Sequence, residues 1–173
     1  MKPVIADAVP LLQRLWPVLR DRYAVEYPGY TLRLGEVHRS AQAQHDAWLA
    51  GNSTYDGLLR WSLHQLLPAC ALDLHAYGPT GGLTWDWSAY APIGSIARDL
   101  GLVWGGEWTK LRDGPHVEVP KPERGRMLQR ALVAAGWQVV VDGALGPKTA
   151  SALRAWQRSV GLPDVGVLNP PTW

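Results

Sequence analysis

The sequence predicts an α+β fold, because helical and strand-like patterns are mixed along its first 120 residues. The segment YTLRLGEV alternates apolar and polar residues, which is typical of a half-buried strand. ACALDLH and PHVEV are short and largely apolar, as buried strands are. With 173 residues, the chain is long enough to bury a hydrophobic core. We therefore expect a sheet of a few strands with helices packed against it.

Three helices are predicted in the same region. Apolar residues recur at helical spacing over residues 5–22, but Pro10 and Pro17 fall inside that segment, so we expect an interrupted helix. Ser40 to Ala50 predicts a second helix, with Ser40 as its N-cap and a glycine after its end. The third helix is predicted over SAYAPIGSIARDLG.

The last third of the chain predicts a second, helical unit. PKPERG, at residues 120–125, indicates a compact linker. Two amphipathic helices are predicted after it, over residues 126–136 and 147–161, with a turn at Asp142-Gly143 between them. We therefore predict two domains, residues 1–120 and 121–173.

The two predicted domains differ in charge. From Lys121 onward there are seven Lys and Arg against three Asp and Glu, a net charge of +4. That leaves ten against twelve, a net charge of −2, for the first domain. A basic second domain is suited to a polyanionic surface. The total of +2 is too small to argue for nucleic acid as a partner.

Three further features of the sequence narrow the class of protein. A single cysteine cannot form an intramolecular disulfide, and no apolar run reaches the roughly 18 residues of a membrane span. Asp7 and Pro10 lie where a secretory signal would need an apolar segment. We therefore expect no membrane insertion and a location in the cytoplasm of the producing cell.

The stretch SLHQLLPACALDLH and the later DGPHVEV contain the residues most able to hold a metal ion. On a strand, Asp73 and His75 point to one face and Cys70 to the other, which places Cys70 in the core. Two imidazoles and one carboxylate leave the fourth position of a tetrahedral ion open, as in catalytic zinc sites. Hydrolysis at such a site needs a second carboxylate as general base, and Asp113, three residues before His116, is placed for that role.

Three sequence blocks resemble one family of zinc peptidases. SLHQLLPACALD resembles its S-x-H…A-x-D block, WGGEWTKLRDGPHVEV its W-G-G-[DE]-W and D-x-P-H-x-E block, and HRSAQAQHDAWLAG its R-S-x-x-x-Q helix start. The family is that of the D-alanyl-D-alanine carboxypeptidases and L-alanyl-D-glutamate peptidases, which includes many bacteriophage endolysins. The resemblance implies a peptidase domain with a small antiparallel sheet and one zinc ion, Zn2+, held by His64, Asp73 and His116.

The resemblance also assigns roles around the ion. It makes Asp113 the general base and Arg39 the cation that steadies the substrate carbonyl as it gains negative charge. Ser62 would hydrogen-bond near the ligands, and Glu118 would orient the imidazole of His116. We also expect Trp108, with Trp104, to offer substrate a stacking surface, unless both pack in the core.

The spacing of the first block leaves one ligand open. His64 and Asp73 are farther apart than in the commonest form of the family, although a longer form with proline at this point also occurs. His75 therefore stays a rival to Asp73, and as a fourth protein ligand it would make the site a structural one.

The end of the chain resembles the peptidoglycan-binding domain type 1 family. The resemblance rests on its L-Q-x-x-L, D-G-x-[FL]-G-x-x-T and A-[LV]-x-x-[FW]-Q elements. It implies that Arg126 and Arg130 contact wall carboxylates, the alternative being a solvated helix face. Where the family has a third helix this chain has NPPTW, so we expect a module of reduced independent stability.

Both resemblances imply a peptidoglycan hydrolase of the endolysin type, which cuts a stem-peptide amide bond, most simply L-alanyl-D-glutamate. The alternatives are a D-alanyl-D-alanine carboxypeptidase and, in another class, a non-catalytic cell-wall-binding protein. We expect a monomer that acts on bacterial peptidoglycan after a holin-type release factor opens the membrane.

Overall fold

The computed structural model describes residues 3–167, and the chain forms two compact units, Met1–Val119 and Pro120–Trp173. The sequence-based boundary ends the first domain at residue 120 rather than 119. None of the helices in the described part of the chain is long and apolar enough to cross a membrane.

The first unit combines three α-helices with a five-stranded antiparallel sheet, which confirms the predicted fold class. The strands follow the order β1-β2-β5-β4, and β3 pairs antiparallel with the end of β2. In chain order the elements are α1 (Pro10–Glu26), β1 (Thr31–Glu36), α2 (Ala41–Leu49), β2 (Ala71–Tyr77), β3 (Leu83–Thr84), α3 (Trp87–Asp99), β4 (Val103–Trp104) and β5 (His116–Glu118). Short 3₁₀ turns cover Ile5–Asp7, Leu63–Gln65 and Gly105–Glu107.

The sheet has one buried and one open face. On β2, Leu72 and Leu74 are buried, whereas Asp73, His75 and Tyr77 alternate with them and stay partly exposed. We call the side of the sheet that carries Asp73, His75 and Tyr77 the open face. Cys70, just before β2, is fully buried, and its carbonyl accepts from the N–H of Val119 at 2.9 Å. The functional side chains of β2 therefore emerge on a single side.

The prediction of an interrupted first helix is wrong at Pro17. Helix α1 runs through Pro17 without a break, while Pro10 lies in its first turn, where no N–H is required. Proline at 17 removes one backbone hydrogen bond, but burial of Leu19 and Tyr23 on the following turns holds the helix in place. The hydroxyl of Tyr23 also donates to the carbonyl of Ala89 in α3 at 2.7 Å.

The second unit contains two helices, α4 (Lys121–Ala134) and α5 (Pro147–Ser159), around a small apolar core. Leu128, Leu132 and Leu153 are buried at its centre, and Trp137 and Trp156 pack against them. NPPTW lies outside the described residues.

The predicted linker PKPERG is in fact the start of α4. Pro122 lies in the first turn, which has no need of its N–H, so proline there begins a helix. Gly125 also faces the Asp142-Gly143 turn so closely that a Cβ added to it would lie 2.2 Å from the Gly143 carbonyl oxygen. A segment that packs this tightly against its own unit belongs to that unit.

Candidate active site

Three side chains on the open face bring their donor atoms together. His64 comes from the 3₁₀ turn before β2, while Asp73 and His116 are directly opposite each other on β2 and β5. Asp73 Oδ1 lies 3.2 Å from His64 Nε2 and 3.0 Å from His116 Nδ1, and the two nitrogens are 3.3 Å apart. The structure thus places the three predicted ligands in a compact donor triangle.

The dimensions of this triangle fit a tetrahedral metal ion. Zinc binds imidazole nitrogen and carboxylate oxygen at about 2.0 to 2.2 Å, so neighbouring ligand atoms of a tetrahedral site lie about 3.3 to 3.5 Å apart. The observed sides of 3.0 to 3.3 Å are close to that spacing. Among the described residues, His64, Asp73 and His116 are the group able to hold a metal ion.

Each imidazole is oriented by a bond to its second nitrogen. His64 Nδ1 is 2.9 Å from the carbonyl oxygen of Val37, and a carbonyl only accepts, so this nitrogen carries the proton. In the neutral ring that binding to a metal requires, this leaves a lone pair on His64 Nε2, directed into the triangle. His116 Nε2 is 3.2 Å from Glu118 Oε2, so Glu118 occupies the orienting position expected of a residue on the same strand face.

Without a metal ion, the triangle favours an ionised Asp73 and a protonated His116, so it holds a negative charge and a proton that a cation can replace. Burial would raise the pKa of Asp73, but the positive charge of His64 and hydrogen bonds from both histidines lower the pKa well below its ordinary range. Burial would likewise lower the pKa of His116, but hydrogen bonds to Asp73 and Glu118 raise it to about 9. A metal ion must therefore displace a proton from this site.

Asp113 lies beside the triangle and is not part of it. Burial raises the pKa of Asp113, and the negative charge of Asp73 raises it further. The backbone N–H of Asp113 donates to the carbonyl of Gly105 at 3.0 Å. Gly105 packs so closely that an added Cβ would lie 2.7 Å from the Asp113 carbonyl oxygen and 3.0 Å from His116 Cβ. The glycine of the WGGEW block thus lets this segment approach the site.

Arg39 is held against the same site by four contacts of its guanidinium. Its Nε and Nη2 donate to Glu36 Oε2, Nη2 also faces Asp73 Oδ2 at 3.5 Å, and Nη1 donates to Gln44 Oε1 at 3.1 Å. The backbone N–H of Arg39 donates to the carbonyl of His64 at 2.8 Å. Burial would lower the pKa of Arg39, but the bond to Glu36 raises it, so the cation is permanent.

Glu36 and Gln44 are two residues of this network that sequence reasoning did not assign a role. Gln44 is fully buried, and its Nε2 donates to Ser53 Oγ at 2.7 Å and to the Tyr55 carbonyl at 2.9 Å. Those two acceptors fix the amide so that its oxygen faces Arg39. The glutamine of R-S-x-x-x-Q was the available signal for Gln44. No sequence signal marked Glu36, which the structure places opposite Asp73 on the neighbouring strand.

Trp108 lies beside one ligand, whereas the hydrogen bond expected of Ser62 is absent from the described part of the chain. Ser62 precedes His64, and its buried Oγ has no hydrogen-bond partner in the described part of the chain. The ring of Trp108 is 4.9 Å from that of His116. Trp104 does not form a stacking surface: it is 6% exposed, it donates to the carbonyl of Gly114 at 2.7 Å, and its ring fills the space beside two glycines.

The remaining candidates are not members of the triangle. His75 is on the open face, but its ring packs over Gly35 and beside Trp85. Arg126 and Arg130 are on α4 in the second unit, where Nη1 of each is 3.1 Å from a carboxylate oxygen of Glu123.

A three-donor centre with an adjacent carboxylate is the arrangement of a metal-dependent hydrolase. Residues 57–119 match the D-alanyl-D-alanine carboxypeptidase family, and residues 123–173 match the peptidoglycan binding domain family. Peptidoglycan L-alanyl-D-glutamate endopeptidase CwlK of Bacillus subtilis (strain 168) is 24% identical over 131 residues, which cover 68% of this chain and 76% of CwlK. 

A solved structure of an L-alanyl-D-glutamate endopeptidase is also similar to this chain. The crystal structure of the L-Ala D-Glu endopeptidase ChiX of Serratia marcescens is similar with a TM-score of 0.53 and 31% sequence identity, over 69% of this chain and 86% of ChiX. The chain belongs to the D-alanyl-D-alanine carboxypeptidase and L-alanyl-D-glutamate peptidase family, and it carries a peptidoglycan-binding domain in addition.

Proposed function

We propose that this protein is a peptidoglycan peptidase that cleaves the L-alanyl-D-glutamate bond of the stem peptide. The observation that carries the proposal is the donor triangle of His64, Asp73 and His116 with Asp113 beside it. The choice of bond is supported by CwlK and ChiX, both of which are L-alanyl-D-glutamate endopeptidases.

The residues present fit a zinc ion, one per chain, held by the three donor atoms of the triangle. Such an ion would polarise the scissile carbonyl and lower the pKa of water at its open position to about 7. Its binding would also require His116 to give up the proton that Asp73 and Glu118 favour.

Asp113 and Arg39 perform the proton transfer and the charge stabilisation. Asp113, whose pKa is raised, accepts a proton from the attacking water as its oxygen bonds to the carbonyl carbon. Asp113 then returns that proton to the leaving nitrogen as the C–N bond breaks, so the products are a carboxylate and an amine. Four of the five guanidinium N–H donors of Arg39 are directed at Glu36, Asp73 and Gln44, and the remaining one on Nη1 is available to the developing oxyanion.

The second unit supplies attachment to the polymer in this proposal. A hydrolase tethered to a wall-binding module meets its substrate at a raised effective concentration. Because the family includes many phage endolysins, we further propose a monomeric, bacteriolytic enzyme of bacteriophage origin, made in the host cytoplasm and released by a holin-type factor.

Replacing Asp113 by Asn tests the proposal. We expect kcat on a soluble muropeptide to fall at least about 100-fold, because the general base is lost, while binding to purified sacculi is unchanged. Asp21→Asn is the matched control, since Asp21 is an exposed carboxylate on α1, and it should retain full activity. Mass analysis of the wild-type products identifies the bond.

Three results would contradict the proposal. Release of free D-alanine would instead identify a D-alanyl-D-alanine carboxypeptidase. Wild-type protein that binds sacculi and cleaves no muropeptide would be a wall-binding protein. Cleavage that survives a strong chelator, and gains nothing from added zinc, would reject the metal site.

A further inference from the structure

The open face continues beyond the donor triangle along β2. His75 follows Asp73 on the same face, about 7 Å along the strand. The rings of His75 and of Trp85, a residue just after β3, form a T-shaped pair with 5.4 Å between centroids and an interplanar angle of 73°. The two separations together place the Trp85 ring on the order of 12 Å from Asp73, beyond His75.

Trp85 is both exposed and rigidly held. Its residue surface is 63% exposed, the highest value among the exposed aromatic residues of the described chain. Its ring stacks on Tyr90 at 6.2 Å with an interplanar angle of 13°. Tyr90 is itself buried, its hydroxyl donates to the Thr84 carbonyl at 3.0 Å, and that hydroxyl accepts from the Ala76 N–H at 3.3 Å. An aromatic ring that packs on two neighbouring rings and still exposes most of its surface is preorganised to receive a ligand.

We propose that the indole of Trp85 is the platform on which the amino sugar that carries the stem peptide stacks during cleavage. The proposal rests on the proposed function, because only peptidoglycan brings a saccharide to this site. The C–H face of a pyranose ring is apolar, whereas its hydroxyl groups point outward. Such a face packs against the electron-rich face of an indole.

The length of the substrate matches the position of Trp85. In the stem peptide, L-alanine and one lactyl group separate the L-alanyl-D-glutamate bond from the sugar, a reach of about 7 Å at about 3.5 Å for each unit. A sugar ring centred a few ångströms farther on lies at the distance of Trp85. A D-alanyl-D-alanine bond lies three residues farther from the sugar, which adds about 10 Å and takes the sugar past this residue.

The test compares two soluble substrates: a disaccharide-linked stem peptide and the same stem peptide without sugar. Wild-type protein should cleave the disaccharide form with the higher kcat/KM. Trp85→Ala should lower kcat/KM on the disaccharide form about tenfold and change it less than twofold on the free peptide. Trp85→Tyr, which keeps a stacking ring, should restore most of the difference.

A matched control is available in Trp48→Ala. Trp48 is also exposed and stacks on a histidine, His45, with ring centroids 5.3 Å apart, but it belongs to α2. This variant should leave kcat/KM unchanged on both substrates, and all variants should be assayed well below their unfolding midpoints, since Trp85→Ala also removes the ring contacts to Tyr90 and His75.

The outcomes separate this proposal from the one on which it rests. Equal losses on both substrates after Trp85→Ala would mean that Trp85 contacts peptide rather than sugar and would overturn the platform. No loss on either substrate, or equal wild-type kcat/KM for the two, would overturn it as well. Wild-type protein that cleaves neither substrate would reject the proposed function and, with it, the platform.

Discussion

At the scale of single residues, His116 is the group that connects the metal site to pH. Both of its ring nitrogens face carboxylates, with Asp73 Oδ1 at 3.0 Å and Glu118 Oε2 at 3.2 Å. Only a protonated imidazole can donate to both. In the absence of metal, this pair of bonds stabilises the charged form of the ring and, through it, the fold.

The metal-free protein should therefore lose stability as the pH rises. The pKa of His116 is raised from 6.5 to about 9, so its contribution is complete below pH 6.5 and is lost as the pH rises through 9. We expect the free energy of unfolding, measured by urea denaturation with a chelator present, to fall between these two pH values. His116→Gln removes the titrating group and should flatten the dependence. A wild-type curve that rises over this interval would contradict the assignment.

At the scale of elements, the start of α2 connects the helix to the site. Ser40 caps the helix by accepting from the Ala43 N–H at 3.2 Å, which sets where the first turn begins. Arg39 lies immediately before this cap, and Gln44, five residues later, faces its guanidinium. A cap that fixes the register of one helix thus also fixes the position of a cation beside Asp73.

Replacing Gln44 by Leu should lower kcat about tenfold, because Arg39 loses the partner that orients Nη1. The rise in KM should be smaller than this. The change also leaves the Ser53 hydroxyl and Tyr55 carbonyl without this donor, so some stability is lost too. Kinetics should therefore be measured well below the unfolding midpoint. Gln42→Leu is the control, since Gln42 is exposed on the same helix and bonds Asp46 at the surface. A lower unfolding midpoint with unchanged kcat would make Gln44 a purely structural residue.

The elements predicted correctly from sequence are those with strong local signals at their ends. Ser40 begins α2, Pro147 begins α5, and Gly161, with φ +74°, follows the end of α5. The two errors both come from proline. Pro17 is tolerated inside α1 because buried neighbouring residues hold the helix in place. Pro122 in PKPERG is tolerated because it lies in the first turn of α4, where its missing N–H costs nothing.

The site residues that could be predicted are those that lie in recognisable sequence blocks. His64, Asp73 and His116 lie in such blocks, and the structure brings them together. Glu36 and Trp85 lie outside these blocks. They could not be predicted, because their proximity to the site depends on antiparallel pairing with β2 and on the ring contact to His75. Cross-strand register is a tertiary property that one sequence does not reveal.

At the scale of the whole molecule, each unit has its own core. The first is built on the sheet and its helices, and the second on Leu128, Leu132 and Leu153. Separate cores are what allow chemistry and attachment to be assigned to different parts of one chain.

Removal of residues 120–173 should weaken binding to purified sacculi far more than it slows cleavage of a soluble muropeptide. The physical reason is that the module raises the local concentration of the enzyme at the polymer without touching the reacting bond. Sedimentation with sacculi measures the first quantity, and chromatography of the muropeptide products measures the second. If truncation left sacculus binding intact and abolished cleavage of the soluble substrate, the module would have a catalytic and not an anchoring role.

The burial of Cys70 has a practical consequence. It is the chain's single cysteine, and none of its surface is exposed, so maleimide reagents have no native thiol to reach in the folded protein. A cysteine introduced at an exposed position, such as Ser159 on α5, would then be the single point of attachment for a fluorophore. Each molecule of the enzyme could be followed by light microscopy as it arrives on a bacterial wall and leaves it.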